Sequence, residues 1–260
     1  MAAPFEPTGE ERQVPLTGGT TIDGAPVAYI VVLAAVVVVL SFIPFSVVFA
    51  AGGGFPLSQG IYGLVGILLG PWAGALAAGI GRIIGIFIAP HTAGGGLPSA
   101  LFAVAWTAAG GILVQKRGRA WLYAFLFFLA AYLLYVGTAL TKDVTPTLAL
   151  ANSAVNLLGL ALWVLPTRAL ARRWIADPNL GRVAAGLFLG CFMVNALGHT
   201  FANMWLYVFV NPWPAQVWAA LVPIIPVEQF FRTLVGTVIG VGVIAGLRAI
   251  GLKKPAKAGF

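Results

Sequence analysis

Polar side chains at steps of four residues stand out in the last two apolar stretches of the chain. Asn195, His199 and Asn203 follow this spacing in one stretch, and Glu228 and Arg232 follow it in the next. Residues four apart share one face of a helix, so each stretch presents a polar face. Amide, imidazole, carboxylate and guanidinium groups bind small polar molecules through hydrogen bonds and charge. The pattern predicts a ligand pocket between two consecutive helices.

Two further polar residues belong to the same group of candidate binding residues. Gln229 lies beside Glu228, and Arg82 lies in the middle of an earlier apolar stretch. Arg82 and Arg232 exceed Glu228 by one positive charge, and an uncompensated buried cation is costly. The excess charge predicts an anionic ligand, such as a carboxylate or a phosphate.

Simpler interpretations of these residues remain open. Glu228 and Arg232 can neutralise each other as a pair within one helix. Asn195 and Asn203 can hydrogen-bond between helices of the protein itself, and His199 can be a hydrogen-bonded core residue. Internal packing is therefore the alternative to ligand recognition.

The sequence lacks the short motifs of common enzymes and metal sites. It contains no Gly-x-x-x-x-Gly-Lys-Ser/Thr loop, which excludes ATP hydrolysis by a P-loop mechanism. It also contains no His-Glu-x-x-His or Cys-x-x-Cys motif, and its single cysteine, Cys191, excludes an intrachain disulfide. We expect no catalytic residues, no metal, no cofactor and no enzymatic activity.

The composition is that of a protein surrounded by lipid. Of the 260 residues, 60% are apolar and only 8% are charged, whereas soluble domains contain about 25% charged residues. The net charge of +8 comes from short basic clusters between apolar stretches, which is how membrane proteins encode orientation. The chain is therefore predicted to be an all-α, polytopic integral membrane protein and not a nucleic-acid binder.

Eight apolar stretches approach the length of a membrane span, which is about 20 helical residues. Pro71 divides two of them, because proline interrupts the helical hydrogen bonds. The predicted transmembrane domain covers residues 28–249, after a flexible polar tail (1–27) and before a basic cytoplasmic tail (250–260). Pro223 and Pro226 predict an irregular start of the last span. The predicted spans are Ala28–Ala51, 57–70, 72–90, Leu97–Val114, Ala120–Leu140, Leu148–Leu165, Val183–Val210 and a last one that ends near Leu247.

Charge predicts the orientation of these spans. If the spans alternate, eleven basic residues fall on one side and the opposite loops hold only Lys142. The positive-inside rule assigns the basic side, and with it both termini, to the cytoplasm. The polar residues of the last two spans then lie in the outer half of the membrane. The eleven basic residues are Lys116, Arg117, Arg119, Arg168, Arg172, Arg173, Arg182, Arg248, Lys253, Lys254 and Lys257.

Two segments resemble a known family of membrane proteins. Residues 55–85 (FPLSQGIYGLVGILLGPWAGALAAGIGRIIG) contain a proline-led loop, a short helix ending at Gly-Pro and a helix rich in small residues. Residues 221–247 open with Ile-Pro and carry Arg232. These features resemble the second, third and last helices of the substrate-binding S components of energy-coupling-factor (ECF) vitamin transporters.

The resemblance implies a six-helix bundle that binds a vitamin or similar small molecule near its outer face. It implies a lid at Gly52–Gln59, which makes Gln59 a further candidate binding residue, and it implies a transmembrane coupling subunit and two ATPases as partners. The chain departs from the family in its eight spans, so that residues 120–165 look like an inserted hairpin. It also departs in the first helix, where Val38 and Val39 replace alanines of the family's docking patch.

Two functions follow from these observations. The first is a substrate-binding subunit of an ECF-type importer in the bacterial cytoplasmic membrane. The alternative is a non-catalytic structural subunit of a larger membrane complex, one that binds lipid, pigment or quinone. The 8 tryptophans and 17 phenylalanines suit either a hydrophobic ligand or an aromatic belt at the membrane surface.

Overall fold

The computed structural model describes residues 20–48, 53–116, 118–251 and 254–260. Most of these residues are helical, and two short antiparallel hairpins pair β1 with β2 and β3 with β4. A 3₁₀ segment (Leu57–Ile61) leads into α2, and a π-helical turn (Leu206–Val210) extends α8. The strands are β1 (Thr21–Ile22), β2 (Ala25–Pro26), β3 (Pro44–Val48) and β4 (Gly53–Pro56). The helices are α1 (Val27–Leu40), α2 (Tyr62–Leu69), α3 (Pro71–Ile88), α4 (Pro98–Leu113), α5 (Ala120–Leu140), α6 (Pro146–Val164), α7 (Thr167–Ile175), α8 (Leu180–Trp205) and α9 (Ala215–Ala249).

The protein is a multi-pass helical membrane protein. Within the described residues, five helices are long and apolar enough to cross a membrane, namely α3, α5, α6, α8 with its π-helical turn, and α9. Shorter apolar helices cover Val27–Leu40, Leu57–Leu69 and Pro98–Leu113. Large apolar side chains such as Trp72 and Phe87 are 71% and 70% exposed, which is favourable only against lipid. The predicted helical membrane fold is confirmed.

The first predicted span, Ala28–Ala51, is longer than the helix that the structure contains there. Helix α1 ends at Leu40, and the chain then forms β3 from Pro44 to Val48. Proline disfavours helical backbone in the residue before it and cannot donate a helical hydrogen bond itself. A continuous apolar run therefore contains a helix and a strand. The rest of the predicted span, residues 49–51, lies outside the described residues.

Two smaller expectations also need correction. Residues 20–27 of the predicted flexible tail form the β1–β2 hairpin and the start of α1, while residues 1–19 lie outside the described part. Helix α9 runs without a break through Pro223 and Pro226, since neighbouring groups can satisfy the carbonyls that an internal proline frees in a membrane helix. Residues 254–260 pack back onto the bundle, where the Gly259 amide donates to the Ile67 carbonyl at 2.9 Å.

Helix α8 lies at the centre of the bundle and packs against α4, α5, α6, α7 and α9. Glycines permit the closest backbone contacts between helices of the bundle. A Cβ atom on Gly66 would lie 2.0 Å from the Thr107 carbonyl oxygen, so α2 and α4 touch through their backbones. Such contacts are typical of membrane helices, which associate through small residues. The predicted hairpin (α5 and α6) contacts both α8 and α9, so it is part of the central bundle.

Contacts at one end of the bundle bring the basic loops together. Arg172 donates to the Gln115 carbonyl at 3.0 Å, which joins the loop after α4 to α7. Arg248 donates to the Asp177 carbonyl at 2.8 Å, which joins the end of α9 to the loop between α7 and α8. These loops therefore share one side, as the alternating spans predicted. Arg117 and Lys253 lie outside the described residues.

Candidate functional site

The candidate site lies where the 3₁₀ segment before α2 meets the middle of α9. A Cβ atom on Gly60 would lie 3.2 Å from the Arg232 carbonyl, and one on Gly236 would lie 2.5 Å from the Gly60 carbonyl. This backbone approach requires glycine at 236, whereas a side chain at position 60 would crowd α9. It places Gln59 next to the turn of α9 that carries Glu228, Gln229 and Arg232.

Arg232 forms the charged part of this site. Its Nη2 donates to Glu228 Oε2 at 3.0 Å, so the ion pair that the four-residue spacing allowed is present. The side chain is buried, and its Nε and Nη1 atoms have no hydrogen-bond partner among the described residues. The ring of Phe45, from β3, lies 5.8 Å from the guanidinium carbon, within the range of a cation–π contact. The β3–β4 hairpin thus covers Arg232 from one side.

Two glutamines add unpartnered polar atoms beside Arg232. Gln229 is fully buried, yet neither Oε1 nor Nε2 has a partner within the described residues. Gln59 is also buried, and its Oε1 lacks a partner there as well. Buried polar groups are nearly always hydrogen-bonded, because an unpaired one costs about 1–3 kcal/mol. The cluster is therefore suited to a polar molecule that supplies the missing bonds.

His199 joins α8 to α6 next to the same cluster. Its Nδ1 lies 3.2 Å from Asn156 Oδ1, which fits a neutral ring whose Nδ1–H donates to the amide oxygen. The 3.4 Å approach of Asn203 Nδ2 to the same ring atom is then not a hydrogen bond. His199 is also close enough to Arg232 to interact electrostatically. Asn156 Nδ2 has no partner among the described residues and extends the set of free donors.

Asn195 is used entirely within the bundle. Its Oδ1 accepts from Trp106 Nε1 at 3.0 Å, and its Nδ2 donates to Thr233 Oγ1 at 3.2 Å. These two bonds link α8 to α4 and to α9. The arrangement matches the interhelical role that the sequence left open for the asparagines. Asn195 holds the helices around the site together, and both of its side-chain polar atoms already have partners.

Arg82 lies in a different polar environment. Its Nε donates to Ser99 Oγ at 2.8 Å, and its Nη2 donates to the carbonyls of Thr92 and Gly94 at 3.1 and 3.3 Å. Arg82 therefore fixes the connection between α3 and α4. That connection contacts the β3–β4 hairpin, because the Gly94 amide donates a hydrogen bond to the Gly54 carbonyl. Helices α3 and α9 are not neighbouring elements in the described bundle. The structure does not bring Arg82 to Arg232.

Comparisons of the chain with protein-family models, with curated proteins and with solved structures found no match. Its ligand and partners are therefore inferred from its own residues. Within the described ranges, no three histidine, cysteine, aspartate or glutamate side chains are placed to hold a metal ion.

Several residues of the site escaped the sequence analysis. Asn156 contacts His199 from α6, and Trp106 and Thr233 orient Asn195. The signal for Asn156 was present, because Asn152 and Asn156 repeat the four-residue spacing within an apolar helix. The signal for Thr233 was present as well, because Gln229, Thr233 and Thr237 repeat the same spacing. Trp106 gave no such signal, since it is a single tryptophan in an apolar helix.

Proposed function

We propose that this protein is a membrane-embedded substrate-binding subunit of an importer, which captures a small polar molecule from the outer side of a bacterial cytoplasmic membrane. In this proposal the five long apolar helices and the three shorter ones each cross the membrane once, which gives eight crossings. The basic loops then face the cytoplasm, by the positive-inside rule. In this arrangement the site lies near the middle of α9, next to the β3–β4 hairpin.

The observation that carries this proposal is the group of buried, unpartnered polar atoms on Gln59, Gln229 and Arg232. Arg232 and the Gln229 amide nitrogen offer donors, and the two glutamine oxygens offer acceptors. A ligand that bears both donors and acceptors satisfies all of them at once. An acidic group on the ligand would bind the free edge of Arg232 with a charge-assisted hydrogen bond.

The resemblance of residues 55–85 and 221–247 to the S components of ECF transporters supports the same role. In that family the loop after the first helix covers the substrate, and β4 with the 3₁₀ segment occupies the corresponding place here. The protein would bind its substrate without chemical change. A membrane coupling subunit and two ATPases would supply the energy for transport.

A second function is favoured by a specific feature of the surface. An apolar groove of about 350 Å³ between α4 and α5 is lined by five alanines and larger apolar residues. Such a groove suits a partner helix or a hydrophobic molecule, as expected of a structural subunit in a larger complex. The alanines are Ala105, Ala108, Ala109, Ala120 and Ala124.

Mass spectrometry of small molecules that copurify with the protein tests the proposal. The protein is extracted in mild detergent, washed and denatured, and the released molecules are compared between wild type and Gln229→Leu. Gln216→Leu is the matched control, because Gln216 is an exposed glutamine on the same helix. We expect a small water-soluble molecule from the wild type and from the control, and a loss of at least tenfold in Gln229→Leu, the equivalent of about 1.4 kcal/mol.

The opposite results identify the alternative. If wild type and both variants release the same molecules in equal amounts, the cluster does not bind a ligand and the importer proposal is wrong. Copurification of the wild type with a large membrane complex that dissociates without this chain would establish the structural role.

A further inference from the structure

A polar cavity lies at the basic end of the bundle, away from the candidate site. It has a volume of about 560 Å³ and is formed by the end of α4 and by residues 254–258. Three lysines line it, namely Lys116, Lys254 and Lys257, and the described lining residues include no carboxylate. These exposed lysines repel one another, so they favour an anion in the space between them.

The internal partners of these lysines do not compensate all of their charge. Lys257 pairs with Asp23 in the β1–β2 turn, and Lys254 donates to the main-chain oxygen of Phe260. Lys254 is also close to Lys116 and Arg248, and partial burial together with these two cations lowers the pKa of its ammonium group. Asp23 is the single side-chain carboxylate paired with these lysines in the described part of the chain, and Lys116 has no ion pair there.

The same segment separates the basic cavity from an apolar groove. Pro255 and Phe260 close one side of a groove of about 360 Å³, and Tyr29, Val36 and Leu247 contribute to its other walls. A basic pocket next to an apolar surface at the end of a helical bundle suits the headgroup and acyl chains of an anionic lipid.

We propose that this cavity binds a phosphate group, and specifically the phosphate of an anionic phospholipid in the leaflet on the basic side of the membrane. A phosphate presents several acceptor oxygens to ammonium donors, and each lysine near the headgroup raises the affinity about fivefold. A phospholipid in this position would connect the chain segment 254–258 to the end of α4. Free phosphate offers the same chemistry, so the test separates the two sources.

Native mass spectrometry of the full-length protein in neutral detergent tests this site. The protein is titrated with dioleoyl phosphatidylglycerol in one series and with inorganic phosphate in a second. The test variant is Lys116→Gln with Lys254→Gln. The control is Arg119→Gln with Arg173→Gln, which removes the same charge from exposed residues at the same end, outside the cavity lining.

We expect phosphatidylglycerol to bind the wild type and the control equally, and the Lys116/Lys254 variant about 30-fold more weakly. Equivalent behaviour with inorganic phosphate alone would support a phosphate site whose natural ligand is soluble. The inference is overturned if neither ligand binds, or if the control variant loses as much affinity as the test variant, because the attraction would then be general surface charge.

Discussion

The two buried arginines of this protein have the same side chain and different surroundings. Arg82 in α3 is 1% exposed and Arg232 in α9 is 2% exposed. Arg82 donates to three neutral acceptors in residues 92–99 and leaves one nitrogen unpartnered in the described structure. Arg232 donates to one carboxylate and leaves two nitrogens unpartnered there.

The difference separates a structural arginine from one that is available to a ligand. Burial alone does not distinguish them, since both side chains have almost no exposed surface. The number of hydrogen bonds that the protein itself supplies does distinguish them, because a guanidinium group carries five N–H donors and each buried donor without a partner costs free energy. Arg82 fixes a loop, whereas Arg232 has its charge balanced by Glu228 and its remaining donors free.

The largest expected effect comes from exchanging each arginine for methionine, which has a similar length but no donors. Arg82→Met leaves Ser99 and the carbonyls of Thr92 and Gly94 without their donor, and we expect the free energy of unfolding to fall by about 3 kcal/mol or more. Arg232→Met removes one ion pair at a partly exposed glutamate and should cost about half as much. Detergent-solubilised protein titrated with sodium dodecyl sulfate measures both values.

Ligand retention should follow the opposite order in the same two variants. Arg232→Met is expected to lose the copurifying small molecule, whereas the folded fraction of Arg82→Met should keep it. If Arg82→Met is as stable as wild type, the structural role of Arg82 is wrong. If Arg82→Met alone loses the ligand, the roles of the two arginines are reversed.

A smaller loss of stability is expected from disturbing the backbone contact between Gly60 and Gly236. This contact belongs to the Arg232 region and not to the Arg82 region. A Cβ atom on Gly236 would lie 2.5 Å from the Gly60 carbonyl, so Gly236→Ala must push the 3₁₀ segment away from α9. We expect a loss of about 1–3 kcal/mol in stability, together with weaker ligand retention as Gln59 moves. Gly242→Ala is the control on the same helix, since its Cβ would have no neighbour within 4 Å.

Equal behaviour of the two alanine variants would contradict this account. A stability loss in Gly236→Ala with unchanged ligand retention would mean that the contact packs the bundle but does not position Gln59. The same unfolding titration and the same mass spectrometry serve for both variants.

The sequence predicted the polar faces of the last two helices because periodicity survives in a helix whatever its partners are. Asn195, His199 and the Glu228–Arg232 pair were found in this way. Sequence spacing did not separate Arg82 from Arg232, since that distinction depends on the loop of residues 92–99, which approaches one arginine and not the other. The end of α1 at Leu40 was also missed, because the apolar run continues through Pro44 into a strand.

The smallest expected effect concerns an ion pair with the same length as the Arg232–Glu228 pair but in water. Arg182 Nη1 lies 3.0 Å from Asp177 Oδ2, and the Arg182 side chain is 66% exposed, compared with 3% for Arg232. The backbone amide of Asn179 and the guanidinium of Arg182 hold the pKa of Asp177 below its usual value of 3.8. Because the folded-state pKa is the lower one, this stabilisation is present at neutral pH and is lost as the pH falls through the acidic range below 3.8.

Asp177→Asn should therefore reduce stability at pH 7 only slightly, and added salt should reduce the difference further, since exposed pairs are screened. Thermal unfolding of wild type and variant at pH 7 and at pH 3, each at low and high salt, measures the effect. The difference between wild type and variant should be smaller at pH 3 than at pH 7, because the wild-type carboxylate loses its advantage as it is protonated below pH 3.8. A large or salt-independent loss in Asp177→Asn would mean that 3.0 Å of separation, and not burial, sets the strength of ion pairs in this protein. In that case the burial of Arg232 could not explain why it is available to a ligand.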